Sequence, residues 1–198
     1  MQSPESSAQR ASQLKRIDTD LPGCCIVEPA VFGDARGFFY ESFNAEKFAA
    51  IGIHARFVQS NVSRSMKGVL RGLHYQWPNP QGKLVGVQEG EVYDVAVDIR
   101  RGSPTFGRWT AAMLTAENKR QFWIPEGFAH GFCVVSDHAT FVYQCTAVYD
   151  RAADAGVRWN DAQLAIDWPV AEPFLSDKDK VAPFLSEVAV GKLPAYSP

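Results

Sequence analysis

The chain has 198 residues, of which 46% are hydrophobic and 21% are charged. This length and composition fit one globular domain with a substantial buried core. The formal net charge is -2, and acidic and basic residues are interspersed. The sequence therefore lacks the basic field that nucleic acids or anionic membrane surfaces require, and we expect a small-molecule partner, with no nucleic acid and no membrane.

The first 16 residues are rich in Ser, Gln, Ala and Arg and have no apolar periodicity. We expect residues 1–16 to be a disordered lead, or one that a partner orders, and residues 17–198 to form a single domain. No stretch reads as a secretory signal or as a membrane span of about 18 apolar residues. The four cysteines lack CxxC spacing, so we expect reduced thiols in a cytoplasmic protein.

Ten short segments rich in Val, Phe, Tyr and Trp follow one another between turn signals, which is typical of an all-β fold. The predicted strands are, in chain order, 24–28, 38–43, 56–62, 69–76, 83–89, 92–100, 108–114, 120–124, 131–135 and 139–148.

One segment, 44–52, predicts a helix instead, with Asn44 as its N-cap and Gly52 as its terminator. In the strand at 92–100, every second residue from Tyr93 to Ile99 is apolar, so this face should meet a hydrophobic layer. Beyond Pro169 the sequence is less regular. We expect this tail to pack over the sheets and to include a helix after Asp179.

Two strands each carry a histidine beside glycines, His74 within Gly68–Gln76 and His130 within Trp123–Phe132. Glycines let strands bend and approach closely, so both histidines should line the inside of a small barrel. A single histidine is more often a hydrogen-bonded core residue, but two in one barrel interior favour chemistry.

Jelly-roll barrels that bind a metal typically use two histidines with one residue between them, a nearby carboxylate and a third histidine on a later strand. Here Gln76 stands at the second position, which leaves two imidazoles and favours chemistry without a metal or another cofactor. A metal-free histidine can act as a general base if a carboxylate orients it. Asp94, Asp98 and Asp179 are all candidates, and the sequence does not choose among them.

Nine segments together resemble the dTDP-4-dehydrorhamnose 3,5-epimerase family over about residues 20 to 185. They are Phe32–Glu41, Gln59–Asn61, Arg71–Gln76, Gln81–Val85, Asp94–Arg100, Gly102–Gly107, Ile124–Phe132, Trp159–Asp161 and Leu175–Asp179. The resemblance implies a cupin-type jelly-roll barrel with short peripheral helices. It also implies a homodimeric isomerase that acts on dTDP-4-dehydro-6-deoxyglucose without metal or nicotinamide.

The hydrogens at C3 and C5 of that sugar are both α to its C4 ketone, so a base can remove either one if the enolate is stabilised. Return of a proton from the opposite face inverts the carbon. The resemblance implies that His74 is the base, that Asp179 orients it, and that Tyr143 is the acid on the other face. Lys83 would stabilise the enolate oxygen. A purely structural role is the alternative: Tyr143 could pack at a barrel rim, and Lys83 could protect an exposed strand edge.

The resemblance also implies a substrate-binding set, with Asp154 standing where the family usually has glutamate. These residues are Arg36, Glu41, Gln59, Asn61, Arg71, His130, Asp154 and Lys178. Phe38 and Tyr149 are candidates to stack on thymine. For the dimer, we expect the apolar segment 24–31 to add to a sheet edge of the second subunit.

Three other functions compete with double epimerisation. A related enzyme could invert C3 or C5 alone or move the ketone, and a non-catalytic cupin could bind the sugar nucleotide. The joint presence of His74, Lys83 and Tyr143 favours catalysis over binding alone. Gln76 disfavours a metal-dependent cupin dioxygenase.

Overall fold

The protein is described by a computed structural model that covers residues 14–197. Thirteen strands and two short helices make up its regular structure, which confirms the predicted all-β class with short peripheral helices. The strands are β1 Lys15–Asp18, β2 Cys25–Glu28, β3 Val31–Asp34, β4 Gly37–Tyr40, β5 Gln59–Met66, β6 Leu70–Gln76, β7 Lys83–Glu89, β8 Glu91–Asp98, β9 Trp109–Thr115, β10 Gln121–Ile124, β11 Phe128–Val134, β12 His138–Cys145 and β13 Asp154–Gly156. The helices are α1 Ala45–Ala50 and α2 Asp177–Lys180, and two 3-10 turns follow at Leu185–Glu187 and Val190–Lys192.

The strands form two larger sheets and a separate hairpin. The six-stranded sheet has the order β1-β2-β10-β7-β12-β5, and the five-stranded sheet has the order β13-β6-β11-β8-β9. The hairpin consists of β3 and β4. Strands that are neighbours in space are mostly distant in sequence, and the two sheets share one apolar interior.

Three buried apolar clusters hold these layers together. The first lies between the two sheets and contains Phe122, Phe132 and Phe141. The second covers the outer face of the five-stranded sheet, where Val95, Val97 and Ile99 meet Leu164, Leu185 and Leu193. This confirms that the Tyr93–Ile99 face meets a hydrophobic layer and that the C-terminal tail supplies much of it. The third cluster packs α1 through Phe48 against Val27 and Trp123.

Helix α1 forms where the sequence predicts it. The Asn44 side chain accepts hydrogen bonds from the amides of Glu46 and Lys47, and the Gly52 amide donates to the carbonyl of Ala49. Gly52 has φ +83, a conformation that glycine adopts without strain.

The two histidine strands approach each other so closely that a pair of glycines is required. A Cβ atom on Gly72 would lie 2.6 Å from Cα of Gly131, and Gly72 has φ +125. Strands β6 and β11 are antiparallel, and His74 and His130 are direct Cα partners. The two histidine strands are therefore neighbours in the five-stranded sheet.

Strand β8 is tied to the C-terminal tail by one arginine. The buried carboxylate of Asp98 accepts hydrogen bonds from Arg100, Ser103 and Thr105 at 2.6–2.9 Å. The Arg100 guanidinium lies 4.4 Å from the ring centroid of Phe128 and 5.1 Å from that of Tyr196. Asp98 therefore holds the arginine side chain that contacts Tyr196 of the C-terminal tail.

Three expectations need correction. Strand β1 begins at Lys15, so the fold starts before residue 17, while residues 1–13 of the expected lead lie outside the described range. Strand β2, within the segment expected to join a second subunit, is already paired with β1 on one side and β10 on the other. Helix α2 contains Asp179 and stops at Lys180, because the residue before Pro183 favours an extended backbone.

Within residues 14–197, no helix is long and apolar enough to cross a membrane. All four cysteines are free and buried, as expected for reduced thiols.

Candidate active site

A cavity of about 110 Å³ opens between the two sheets and is lined by side chains from both. Six of the twelve residues predicted for the site line it: Gln59, Asn61, His74, Lys83, Tyr143 and Asp154. They come from strands β5, β6, β7, β12 and β13. Inward-facing positions of distant strands thus converge on one small volume.

His74 is oriented by a buried carboxylate. Its Nε2 lies 2.6 Å from Oδ1 of Asp179, whose side chain is 4% exposed. Burial alone would raise the pKa of Asp179, but hydrogen bonds from His74, Ser176 and the Gly72 amide hold this pKa below its ordinary value. An ionised carboxylate only accepts hydrogen bonds, so Nε2 of His74 carries the hydrogen and Nδ1 is its free basic nitrogen. Of the three candidate carboxylates, Asp179 orients His74.

The amino group of Lys83 enters the same cavity from β7. Burial lowers its pKa, and the charges of Cys145, Asp94 and Asp154 oppose this effect. Cys145 is the Cα partner of Lys83 across β7 and β12. Lys83 therefore lines the cavity from a central strand of the six-stranded sheet and does not guard a strand edge.

Tyr143 lies on β12 beside Phe141, with ring centroids 5.9 Å apart. Burial raises the pKa of its phenol, and the charge of Arg71 lowers it by less. Loss of hydration therefore outweighs the effect of the nearby cation on this phenol. The phenol stays protonated at neutral pH, which suits a proton donor.

His130 is buried, with its side chain 8% exposed, and its Nε2 lies 3.0 Å from both oxygens of Asp94. Burial lowers the pKa of His130 more than the charge of Asp94 raises it, so the ring is neutral at physiological pH. It packs nearly parallel to Phe141. The structure thus contains two histidine–aspartate pairs, and their histidines are cross-strand partners.

A polar group closes one side of the cavity. Asp154 forms an ion pair with Lys178, and the Tyr149 hydroxyl donates to Asp154 at 3.2 Å. The Tyr149 amide donates to Oε1 of Gln59. The shorter aspartate side chain therefore reaches Lys178, and Tyr149 stands half exposed over the cavity, where a base could stack on it.

Arg71 does not line this cavity, and its guanidinium donates to the Ser65 hydroxyl at 3.0 and 3.1 Å. It lines a neighbouring cavity of about 390 Å³.

Two predicted binding residues lie away from the cavity. Arg36 is in the β3–β4 hairpin, 90% exposed and paired with Asp34 at 2.5 Å. Glu41 follows the hairpin and pairs with Lys47 at 2.9 Å. Phe38, a stacking candidate, is 61% exposed and lies under the amino group of Lys119. Within one subunit, these residues do not join the site.

Several residues that line the cavity were not predicted from the sequence, among them Gln81 and Cys145. Cys145 could have been found from its spacing, because it lies two residues after Tyr143 and faces the same side of the strand. Gln81 lies in a loop, where no periodicity points to it.

Comparison with known proteins gives this arrangement a context. The family model described as dTDP-4-dehydrorhamnose 3,5-epimerase matches residues 18–187. The chain belongs to this family. The dTDP-4-dehydrorhamnose 3,5-epimerase of Shigella flexneri is 59% identical over 165 residues, which cover 82% of this chain and 91% of that relative.

Two solved structures are informative about the epimerase fold. The Legionella pneumophila dTDP-6-deoxy-D-glucose-3,5-epimerase, in complex with dTDP-4-keto-L-rhamnose, is 53% identical with a TM-score of 0.92, covering 94% of this chain and all of that chain. A 3'-monoepimerase from Streptomyces bikiniensis, in complex with dTDP-quinovose, is 38% identical with a TM-score of 0.84, covering 90% and 92%. The protein is an isomerase of the cupin-type jelly-roll class, as the sequence predicts.

Proposed function

We propose that this epimerase converts dTDP-4-dehydro-6-deoxy-D-glucose to dTDP-4-dehydro-L-rhamnose, for dTDP-L-rhamnose biosynthesis, by inverting C3 and C5. The observation that carries the proposal is the His74–Asp179 pair at a cavity that Lys83 and Tyr143 also line. A base, a cation and a neutral acid in one small volume are the groups that inversion next to a ketone needs.

Each inversion uses these groups in order. Nδ1 of His74 takes the proton when the C3–H or C5–H bond breaks, and the electron pair moves into the enolate at C4. The positive charge of Lys83 stabilises the enolate oxygen. The Tyr143 hydroxyl returns a proton to the opposite face of the carbon, and exchange with water then restores both side chains. Asp179 keeps the His74 ring in the required tautomer throughout.

We propose that the reaction needs no metal. Nε2 of each cavity histidine is bound to a separate carboxylate, Asp179 for His74 and Asp94 for His130. The side-chain amide of Gln76 donates to the carbonyls of Asn79 and Val148 and accepts from the Asp150 amide. Within residues 14–197, no three His, Cys, Asp or Glu side chains are grouped so that they could hold a metal ion, and the engaged Gln76 amide does not add a ligand.

The cavity is smaller than the roughly 300 Å³ at which ordinary ligand pockets begin. We therefore place the sugar inside it and the nucleotide across its opening, against Gln59, Asn61, Asp154 and Lys178, with thymine on Tyr149. Arg71 suits the diphosphate because a guanidinium can bind phosphate oxygens in pairs. His130 offers the substrate only its Nδ1, since Nε2 is bound to Asp94.

We propose a homodimer in which the β3–β4 hairpin takes part. Its Val31, Phe32, Phe38 and Phe39 side chains are 43–68% exposed, an apolar surface that association would cover. Docking of this hairpin on a second copy would bring Arg36 and Glu41 to that copy's site. Light scattering should find a dimer at micromolar concentration. Mixing inactive His74→Ala protein with inactive Arg36→Ala protein should restore part of the activity, because a mixed dimer would contain one intact site. If the mixture stays inactive, Arg36 does not contribute to the site of the second copy.

The free, buried cysteines are typical of a reducing compartment, and we place the reaction in the cytoplasm.

Inversion of a single carbon is the alternative, because the Streptomyces bikiniensis relative is a 3'-monoepimerase. Incubation with substrate in deuterated water, followed by NMR at C3 and C5, distinguishes the two. Label at both carbons with a rhamno product supports double epimerisation. Label at one carbon supports the alternative, and no label contradicts both.

A further inference from the structure

The loop that follows β12, residues 147–150, is held by side-chain amides and not by a partner strand. Within residues 14–197, the main chain of residues 147–149 makes no hydrogen bond to another main-chain group. The carbonyl of Ala147 accepts from a glutamine side chain at 2.7 Å, and the amide of Tyr149 donates to another at 2.8 Å. Three glutamines that line the cavity supply the contacts of this loop: Gln59, Gln76 and Gln81.

Gln76, at the end of β6, brackets Tyr149. Its Nε2 donates to the carbonyl of Val148 at 3.3 Å, and its Oε1 accepts from the amide of Asp150 at 2.9 Å. Nε2 also donates to the carbonyl of Asn79 at 2.9 Å. Gln76 is 4% exposed, and both hydrogens of its side-chain amide are used. It therefore has no donor left for a substrate, although it lines the cavity.

The other end of Tyr149 is also held, since its hydroxyl donates to Asp154 at 3.2 Å. Gln76 thus fixes the main chain on both sides of this residue, and Asp154 fixes the tip of the ring. The side chain remains half exposed over the cavity. A ring that is ordered in advance loses little freedom when a ligand binds, which favours affinity.

We propose that Gln76 is a positioning residue for nucleotide binding, which holds residues 147–150 so that the Tyr149 ring is ready to stack on the base. The inference rests on the proposed stacking of thymine on Tyr149. Gln76 stands at the position where metal-binding jelly rolls carry their second histidine. In this chain, the residue at that position organises the wall on which the nucleotide lies.

The test is a double-mutant cycle on the affinity for dTDP, measured by calorimetry with the wild type, Gln76→Met, Tyr149→Ala and the double variant. Tyr149→Ala should raise the Kd about tenfold or more, as for loss of a base–aromatic stack. Gln76→Met keeps the length of the side chain and removes its hydrogen bonds. It should raise the Kd about five- to tenfold, because the loosened loop must be ordered on binding.

The cycle distinguishes positioning from a merely structural role. In the Tyr149→Ala background, Gln76→Met should change the Kd by less than about twofold, because the ring that it positions is gone. In turnover, Gln76→Met should raise KM while kcat stays within about twofold. The Tyr149 amide bonds to Gln59, so faster hydrogen exchange of this amide in Gln76→Met would show that the whole loop is loosened.

Two controls match these measurements. Pyrophosphate has no base, so its Kd should be the same in the wild type and in Gln76→Met. Gln144→Met removes another glutamine amide, from the opposite face of β12, where Gln144 lines a separate cavity. This control should leave the Kd for dTDP unchanged.

If Gln76→Met does not fold, Gln76→Asn keeps an amide but withdraws it by one methylene, and the same cycle applies. An unchanged Kd for dTDP in a folded Gln76 variant overturns the inference, and so does an equal effect of the substitution in both backgrounds. An unchanged Kd in Tyr149→Ala contradicts the stacking and overturns the inference with it. The proposed reaction is tested separately, by the deuterium experiment on the wild type.

Discussion

Replacing Tyr143 by phenylalanine should separate proton removal from inversion. The change deletes one hydroxyl and leaves His74, Asp179 and Lys83 in place. Proton removal at C3 and C5 should continue, because the base and the enolate stabiliser are intact. Inversion should slow by about 10² to 10⁴, the usual contribution of a general acid. The enolate would mostly regain a proton from the side on which it was lost.

The structure indicates that this loss would be chemical and not structural. Tyr143 is partly buried, and its hydroxyl has no hydrogen-bond partner within residues 14–197. Phenylalanine fills nearly the same volume beside Phe141, so no cavity forms. We expect the free energy of unfolding to change by less than about 0.5 kcal/mol.

The measurement is the ratio of deuterium incorporation to inverted product in deuterated water, for wild type and variant. Tyr93→Phe is a suitable control, because Tyr93 is also a strand tyrosine but packs against Trp168 on the outer face of its sheet. The control should keep the wild-type ratio. A Tyr143→Phe protein that still forms inverted product at a near-normal rate would remove this residue from the mechanism.

Three further predictions concern the base, metals and pH. His74→Ala should lower kcat by about 10² or more with little change in nucleotide affinity measured by calorimetry, and retention of a tenth of the activity would contradict its role. Exhaustive EDTA treatment should leave kcat unchanged; loss of activity that a single metal restores would refute the metal-free mechanism. Hydrogen bonds from Arg64 and His138 lower the pKa of Glu89 from 4.5 to about 2. A carboxylate whose pKa is lower in the folded state than in the unfolded state stabilises the fold at any pH above the unfolded-state pKa. This stabilisation is lost as the pH falls from 4.5 to 2. Between pH 7 and pH 3, Glu89→Gln should therefore lose less thermal stability than the wild type, and equal losses would argue against this pairing.

The sequence predicted long strands and the single clear helix well, because these elements carry their own pattern. Strands β7 and β8 coincide with the predicted segments to within two residues. Strand β13 was missed, since it has three residues and is ordered mainly by pairing with β6. Strand β3 was missed because Gly33 and Asp34 read as turn residues.

The sequence allowed the residues of the candidate site to be proposed, but it did not show which side chains contact one another. Asp94, Asp98 and Asp179 are equivalent in sequence terms as partners for a histidine. Only tertiary structure assigns them, to His130, Arg100 and His74 respectively. The positions of Arg36 and Glu41 outside the cavity could not be predicted either, because a motif match carries no information about where a loop lies in the fold.

The attachment of the C-terminal tail has a consequence for protein synthesis. The carboxylate that orients His74 comes 105 positions later in the chain, and the apolar residues Leu185 and Leu193 that cover β8 come later still. When the ribosome has synthesised every strand of both sheets, Asp179 has not yet been synthesised. A chain released at that point would contain His74, Tyr143 and Lys83, yet its His74 would lack the hydrogen bond to Asp179. Premature termination should therefore yield inert protein, and a messenger truncated late in the reading frame would leave no partly active enzyme to process sugar nucleotides.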